Sequence, residues 1–348
     1  MKPVTLEARD LAIGYRRRGR SDVRVAEDLN LDLLEGELVC LLGGNGVGKS
    51  TLLRSLAGLH PVLGGAIRLQ GRPVDKLGAQ ARSRLLAVVL TDRPVAGHLS
   101  VLTLVGLGRY PYTGVTGRIS EEDRAKVQWA LDAVNGGHLA GRYYDELSDG
   151  ERQKVMIARA LAQDPSVMLL DEPTAFLDLT QRMEIARHLR DLARDSHRTV
   201  LLTTHDVDLA LRAADRIWLM QRGGTICVGA PEDLILDGSL PRVFCDEHVV
   251  FDEQLGSFAL QEEGGPRVVI EGEGRPVCWT ERALRRAGFQ LGAEGEMAPY
   301  RVTLTGSGAQ PGWRVEVNGT REAYGSILQL VDGMRRIASK RDDLKSKI

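Results

Sequence analysis

Cysteine is scarce in this sequence. Four occur in 348 residues, none in a CxxC pair, so neither a disulfide framework nor a sulfur-rich metal site is expected. Cys245 and His248 form a lone CxxH, and two ligands do not make a tetrahedral site. A surplus of either charge is also missing: 46 basic residues face 47 acidic ones, for a formal charge of -1. Such a balance gives no overall field to draw in nucleic acid, so no nucleic-acid partner is expected. No stretch approaches the roughly 18 consecutive apolar residues of a membrane span. The opening "MKPVTLEARDLAIGY" mixes charge with apolar residues and does not read as a signal peptide. Low-complexity tracts and sustained heptads are absent as well. With 43% apolar and 27% charged residues, the chain reads as globular, and its length suits one large domain plus a smaller one.

What is present is a regular alternation of strand and helix. Residues 4–13 and 29–34 have the period-two pattern of strands, and "ELVCLL" (37–42) is a continuous apolar run suited to burial on both faces. A glycine-rich loop follows, then the helix "STLLRSLAGL", then the strand-like "AIRLQG". "RSRLLAVVL" (82–90) leads into another strand, and residues 100–146 read as mainly helical. In that region Ser120, followed by acids, marks a helix N-terminus. The alternation then resumes: strands over 166–171, 199–205 and 216–223, with helices over 181–194 and 208–214. This is an α/β plan with a largely parallel sheet and a helical insertion. After about residue 240 the texture changes to short runs of β-β-α-β-β-α type. Its helices are "WTERALRRAG" and "REAYGSILQLVDGMRRI", and two loosely similar β-β-α units are visible.

Two segments carry the chemistry. "GGNGVGKST" (43–51) fits the phosphate-loop pattern, with a strand before it and a helix after it. Gly43, Asn45, Gly46 and Gly48 let backbone N–H groups turn toward a phosphate; Lys49 supplies positive charge; Ser50 offers a hydroxyl to Mg²⁺ and Thr51 follows it. "VMLLDEP" (167–173) brings Asp171 to the end of a buried strand as a second Mg²⁺ contact, and places Glu172 to orient and deprotonate a water.

The loop, "LSDGE" (147–151), "LLDEP" and "LLTTHD", in this order, resemble the nucleotide-binding subunit of an ABC transporter over about residues 1–240. The resemblance implies a P-loop NTPase fold. A RecA-like core would carry a helical subdomain at about 92–158, within a domain 1–245, followed by an α+β accessory domain 250–348. It also implies that ATP and Mg²⁺ are bound and that two copies sandwich two nucleotides. Ser148 and Gly150 of one copy would then cap the γ-phosphate held by the other, as an outward-facing anion site. By position, Tyr15 matches the residue stacked on adenine, although a lone tyrosine reads equally as core. Asp178 matches the loop linking the two sites, and His205 the switch histidine at the γ-phosphate.

Two departures stand out, and one further segment narrows the class. Asp149 and Glu151 add negative charge to a segment that is usually Leu-Ser-Gly-Gly-Gln, which weakens capping unless Arg152 or Lys154 compensates. Where the family carries a Mg²⁺-contacting glutamine, this chain has Thr91, with Asp92 next to it as the other possible substitute. Finally, "LSVLTLVGLGRYPYTG" (99–114) resembles ATPases of importers for iron-siderophore, haem or cobalamin, near the groove that receives the permease; it is expected to present two exposed tyrosines. The expected function is therefore ATP hydrolysis that powers such an importer from the cytoplasmic face of the membrane. Its partners would be permease subunits, a second copy and, indirectly, a substrate-binding protein. Another cargo, a soluble ABC ATPase, and a nucleotide switch with little hydrolysis are the rival readings. For the accessory domain, dimer support, ligand sensing and simple packing all remain open.

Overall fold

In the computed structural model, residues 2–17, 19, 21–91, 98–114, 117–175, 177–246, 248–252, 256–260, 264–293, 296–305, 311–317 and 319–345 are described. The chain divides into two compact units, Met1–Phe244 and Cys245–Ile348. None of the described helices is long and apolar enough to cross a membrane.

The first unit begins with a long antiparallel pair, β1 (Val4–Tyr15) and β2 (Val23–Leu34), longer than the alternating runs alone indicate. The fully buried β3 (Leu38–Leu42) leads through the glycine loop into α1 (Lys49–Leu56). Then come β4 (Gly64–Leu69), the two-residue β5 (Arg72–Pro73), α2 (Ala79–Leu85) and β6 (Leu86–Val89). The inserted helices are α3 (Val101–Gly106), α4 (Glu121–Ala133) and α5 (Asp149–Ala162). The α/β alternation returns with β7 (Val167–Asp171), α6 (Leu179–Asp195), β8 (Thr199–Thr204), α7 (Val207–Ala213) and β9 (Arg216–Met220). β10 (Ile226–Gly229), α8 (Pro231–Leu236) and α9 (Ser239–Phe244) complete the unit.

Two sheets result. One is antiparallel with order β2-β1-β4-β5; the other runs β10-β9-β3-β8-β7-β6 and is parallel except at β10. The all-apolar runs occupy the middle of the second sheet because both of their faces must be covered. Every residue of β3, β7 and β8 is buried. Parallel strands end together, so the loops after β3, β7 and β8 share one sheet edge.

Among the inserted helices, Ser120 caps α4 in a reciprocal box with Asp123. The same carboxylate receives the buried Arg109 guanidinium at 2.8 Å, and Arg109 also donates to the Ala162 carbonyl at the end of α5. One buried arginine thus ties α4, α5 and the turn after α3. Tyr110 is 75% exposed, but Tyr112 is not free as expected. Its ring lies 3.9 Å from the Arg109 guanidinium and its hydroxyl donates to the Gln163 carbonyl, so it belongs to the scaffold.

The second unit starts with a hairpin, β11 (Val249–Asp252) and β12 (Ser257–Leu260). Next are β13 (Arg267–Glu271), α10 (Arg275–Arg286), β14 (Gln290–Leu291), β15 (Tyr300–Thr305), β16 (Gly312–Val317), β17 (Thr320–Tyr324) and α11 (Ile327–Lys345). The five-stranded sheet has order β14-β13-β15-β16-β17. One sequence expectation fails here. Residues 321–324 are strand rather than helix, because Gly319, at φ 80°, turns the chain back and Tyr324 pairs with Trp313. The two β-β-α units are not repeats: β12 pairs only with β11, whereas β13 runs parallel to β15. The core is built on Val268, Leu284, Tyr300, Trp313 and Met334, and the Trp313 indole donates to the buried Thr280 hydroxyl at 2.7 Å.

Candidate active site

The loop after β3 is shaped by close backbone contacts. Gly46 and Gly48 have φ of 76° and 114°, which favours glycine. A Cβ on Gly43 would stand 2.4 Å from the Met220 carbonyl oxygen, and one on Gly48 2.2 Å from Val25. Asn45 and Gly46 are exposed on the outer turn. Gly48 caps α1 without a side chain, and the first turn of α1 carries no acid. Its N–H groups therefore remain available to an anion. Lys49 is 6% exposed and folds back into the loop, where Nζ donates to the carbonyls of Gly43 and Gly44 at 2.9 and 3.0 Å. Burial pushes its pKa below the ordinary lysine range, while Glu172 and Asp171 oppose that shift. Thr51 Oγ1 lies 2.9 Å from the Tyr15 hydroxyl. The Tyr15 ring is half exposed and meets His60 edge-on.

Asp171, 2% exposed, is the meeting point of four chain segments. Its Oδ1 accepts from Ser50 Oγ at 2.9 Å and from Thr203 Oγ1 at 2.8 Å, and its main-chain carbonyl accepts from Thr91 Oγ1 at 2.9 Å. Thr91 thus reaches the cluster through the backbone of Asp171; Asp92 lies outside the described residues. Glu172 follows at φ 48°, an uncommon conformation for a residue with a side chain. Its N–H is fixed by Thr203 Oγ1 at 2.8 Å, and its carboxylate lies 3.4 Å from His205 Nδ1. Thr203 was not singled out from the sequence. Three threonines in a wholly buried six-residue strand, each needing a hydrogen-bond partner, are the available signal.

Ser148 caps α5, with its Oγ donating to Glu151 Oε2 at 2.8 Å and its N–H donating to the same oxygen. Those Ser148 hydrogen bonds, the backbone one foremost, hold the Glu151 carboxyl below its usual range, and Arg142 helps at 2.9 Å. Charge compensation follows the expectation at Asp149 and departs from it at Glu151. Arg142 serves Glu151, Arg152 reaches Asp149 at 3.7 Å, and Lys154 is taken by Glu184 at 2.9 Å. Gly150 is buried against the Gln181 side chain. Asp178 is exposed and caps α6 through Gln181 N–H at 2.8 Å. Among the described residues, no hydrogen bond or ion pair joins Ser148, Gly150 or Asp178 to the phosphate loop of this chain.

A glycine loop with a buried lysine, opening a helix at the end of a parallel strand and facing a buried aspartate, defines a P-loop nucleotide-binding ATPase. The family model "ABC transporter" matches residues 26–175, and "iron ABC transporter C-terminal domain" matches 264–335. The chain is 34% identical to the iron(3+)-hydroxamate import ATP-binding protein of Bacillus subtilis, over 71% of this chain and 91% of that protein. It is 38% identical to the hemin import ATP-binding protein of Bordetella avium, over 69% and 92%. Among solved structures, "an inward-facing conformation of a putative metal-chelate type ABC transporter" is 29% identical, with a TM-score of 0.61, covering 74% of this chain and 96% of that one. A dimeric bacterial ABC transporter cassette is 27% identical with a TM-score of 0.57, over 65% and 98%. The chain belongs to the family of ABC transporter ATP-binding proteins, which bind and hydrolyse ATP.

Proposed function

We propose that this ATPase powers an importer of an iron chelate or haem. The observation that carries the catalytic part is the convergence of Lys49, Ser50, Asp171, Thr203, Glu172 and His205 on one sheet edge. The cargo class rests on the iron-type C-terminal match and on relatives that import iron hydroxamates and hemin.

In this reading Tyr15 stacks on adenine, and the loop from Gly43 to Thr51 holds the phosphates. Ser50 Oγ and Asp171 Oδ1 are two hard oxygen donors 2.9 Å apart, a donor set that suits Mg²⁺. When bound, the ion neutralises phosphate charge. Thr91 acts one step back by fixing the Asp171 backbone. Lys49 stabilises negative charge on the transferred phosphoryl group. Glu172 orients the attacking water and takes its proton, and His205 supports the same phosphate region beside it. Thr203 sets the direction of Glu172. Ser148, Gly150 and Asp178 serve the site of a second copy, a reading supported by the likeness to a dimeric cassette.

Apolar and aromatic side chains of the helical insertion line a groove of about 740 Å³, with Leu102, Leu107, Tyr110 and Ile119 partly exposed along it. This groove would receive the permease and hold the protein peripherally at the cytoplasmic face. A substrate-binding protein would act through that permease.

The test is the solution mass of Glu172→Gln with and without Mg-ATP, together with ATP turnover of the wild type. Turnover plus an ATP-dependent dimer supports the reading. A wild type without turnover would sink the hydrolytic role. For the cargo, turnover with the cognate permease in vesicles should rise when a ferric chelate on its binding protein is supplied; no response to ferric chelates or haem would remove the iron assignment.

A further inference from the structure

The second unit contains a concavity that the ATPase reading does not use. It lies between α10 and the β11–β12 hairpin and has a volume of about 500 Å³, within the range of small-molecule sites. Arg282, Arg285 and Arg286 line it, with Ser257, Phe258 and Leu260 from the hairpin strand opposite. Cys278 and Glu281 join Arg282 and Arg285 at a spacing that makes one face of α10 the wall, and Asp252 of β11 lines the hollow beside Arg285. Arginines in a last helical turn ordinarily complement the helix dipole, which accounts for Arg285 and Arg286 as a pair of charges. It does not account for Arg282, which lies a turn earlier, or for their gathering around a hollow. Among the described residues, Arg285 has an ion-pair contact only at 3.9 Å, to Asp252, while Arg282 and Arg286 have none. Arg282 instead lies 5.6 Å from the ring of Trp279. Leu260 is 74% exposed at the rim.

We propose that this cleft binds a small organic oxyanion. The guanidinium forks would take its carboxylate or phosphate group, and Phe258 and Leu260 would take its apolar part. Guanidinium groups match both oxyanions in pairs of parallel hydrogen bonds. The proposal is independent of the cargo assignment.

The experiment uses the full chain and hydrogen–deuterium exchange with three probes of one shape: 1-naphthoate, 1-naphthyl phosphate and the neutral 1-naphthamide. The expected result is slower exchange in residues 257–260 and 275–286 with one or both anions, and not with the amide. The stronger anion then identifies carboxylate or phosphate as the natural group. Arg282→Gln with Arg286→Gln should raise the concentration needed by about tenfold or more, since charge-assisted bonds are lost. Both side chains are exposed, and unchanged exchange in β15 and β16 reports intact folding. Equal protection by the amide, protection confined to residues 43–56, or a midpoint unmoved by the double substitution each overturns the proposal.

Discussion

Two helix N-termini of the ATPase unit face opposite demands. α1 opens on Gly48, with no capping side chain and no acid in its first turn, and Lys49 stands beside it. α5 opens on Ser148, whose hydroxyl and N–H are both taken by Glu151, and its first turn carries Asp149 as well. Both ends have a first turn of N–H groups and a dipole that attract anions, although at α5 the Glu151 N–H is taken by Ser148 Oγ. Only the first is left open for one. The second already holds a carboxylate of its own, neutralised by Arg142. The difference teaches that a helix end becomes a phosphate site by what the sequence withholds as much as by what it supplies. In the proposed sandwich, a phosphate from a second copy must displace the Ser148 hydroxyl from Glu151.

The largest effects should come from closing the open end. Glu172→Gln should lower ATP hydrolysis by about 10²-fold or more while leaving ATP binding intact, measured as phosphate release beside nucleotide titration. Lys49→Ala should remove both activities; retained binding would mean that the loop N–H groups suffice. The scaffold between the two ends is the next target. Arg109→Ala leaves Asp123 buried without its partner and should cost about 3 kcal/mol, read by chemical denaturation. Burial alone would raise the Asp123 pKa, but hydrogen bonds from Arg109 and Ser120 outweigh it, so the net shift is downward. A lowered carboxyl contributes stability that is present above its unfolded value of about 3.9 and lost as pH falls through the lower folded value. The wild type should therefore keep this contribution at pH 5; in Arg109→Ala burial is less opposed and the Asp123 carboxyl takes up its proton at higher pH than in the wild type, so the gap should narrow as pH falls.

Smaller changes would test the occupied end. Arg142→Gln exposes the Glu151 carboxylate and should weaken the ATP-dependent dimer by about fivefold; Glu151→Gln should strengthen it by a similar factor, since a rim charge is removed beside a phosphate. Light scattering across concentrations reads both, and equal dimerisation by the two variants would sink the contrast. The smallest effect is expected of Asp149→Gly, whose 3.7 Å contact with Arg152 is partly exposed. Its stability should move by no more than about 1 kcal/mol in a thermal melt.

The parts legible in the sequence are mostly those confined to a few consecutive residues. The phosphate loop is nine consecutive residues, so its glycines, Lys49 and Ser50 are readable together. The apolar strands announced their burial by composition, and the cap at Ser120 by the acids that follow it. Tertiary structure alone decided which segments meet. The order β3-β8-β7-β6 brings Ser50 and Thr203 to the Asp171 carboxylate and Thr91 to the Asp171 main-chain carbonyl, and nothing in any single strand encodes its neighbour. Arg142 reaches Glu151 because the turn before α5 folds back on its first turn, whereas of the two basic residues considered for compensation Arg152 pairs with Asp149 and Lys154 with Glu184. Tyr112 became scaffold through Arg109, and residues 321–324 became strand through pairing with β16. A helical or exposed pattern states what a segment prefers by itself; the partner that arrives from a distant part of the chain decides which preference is kept.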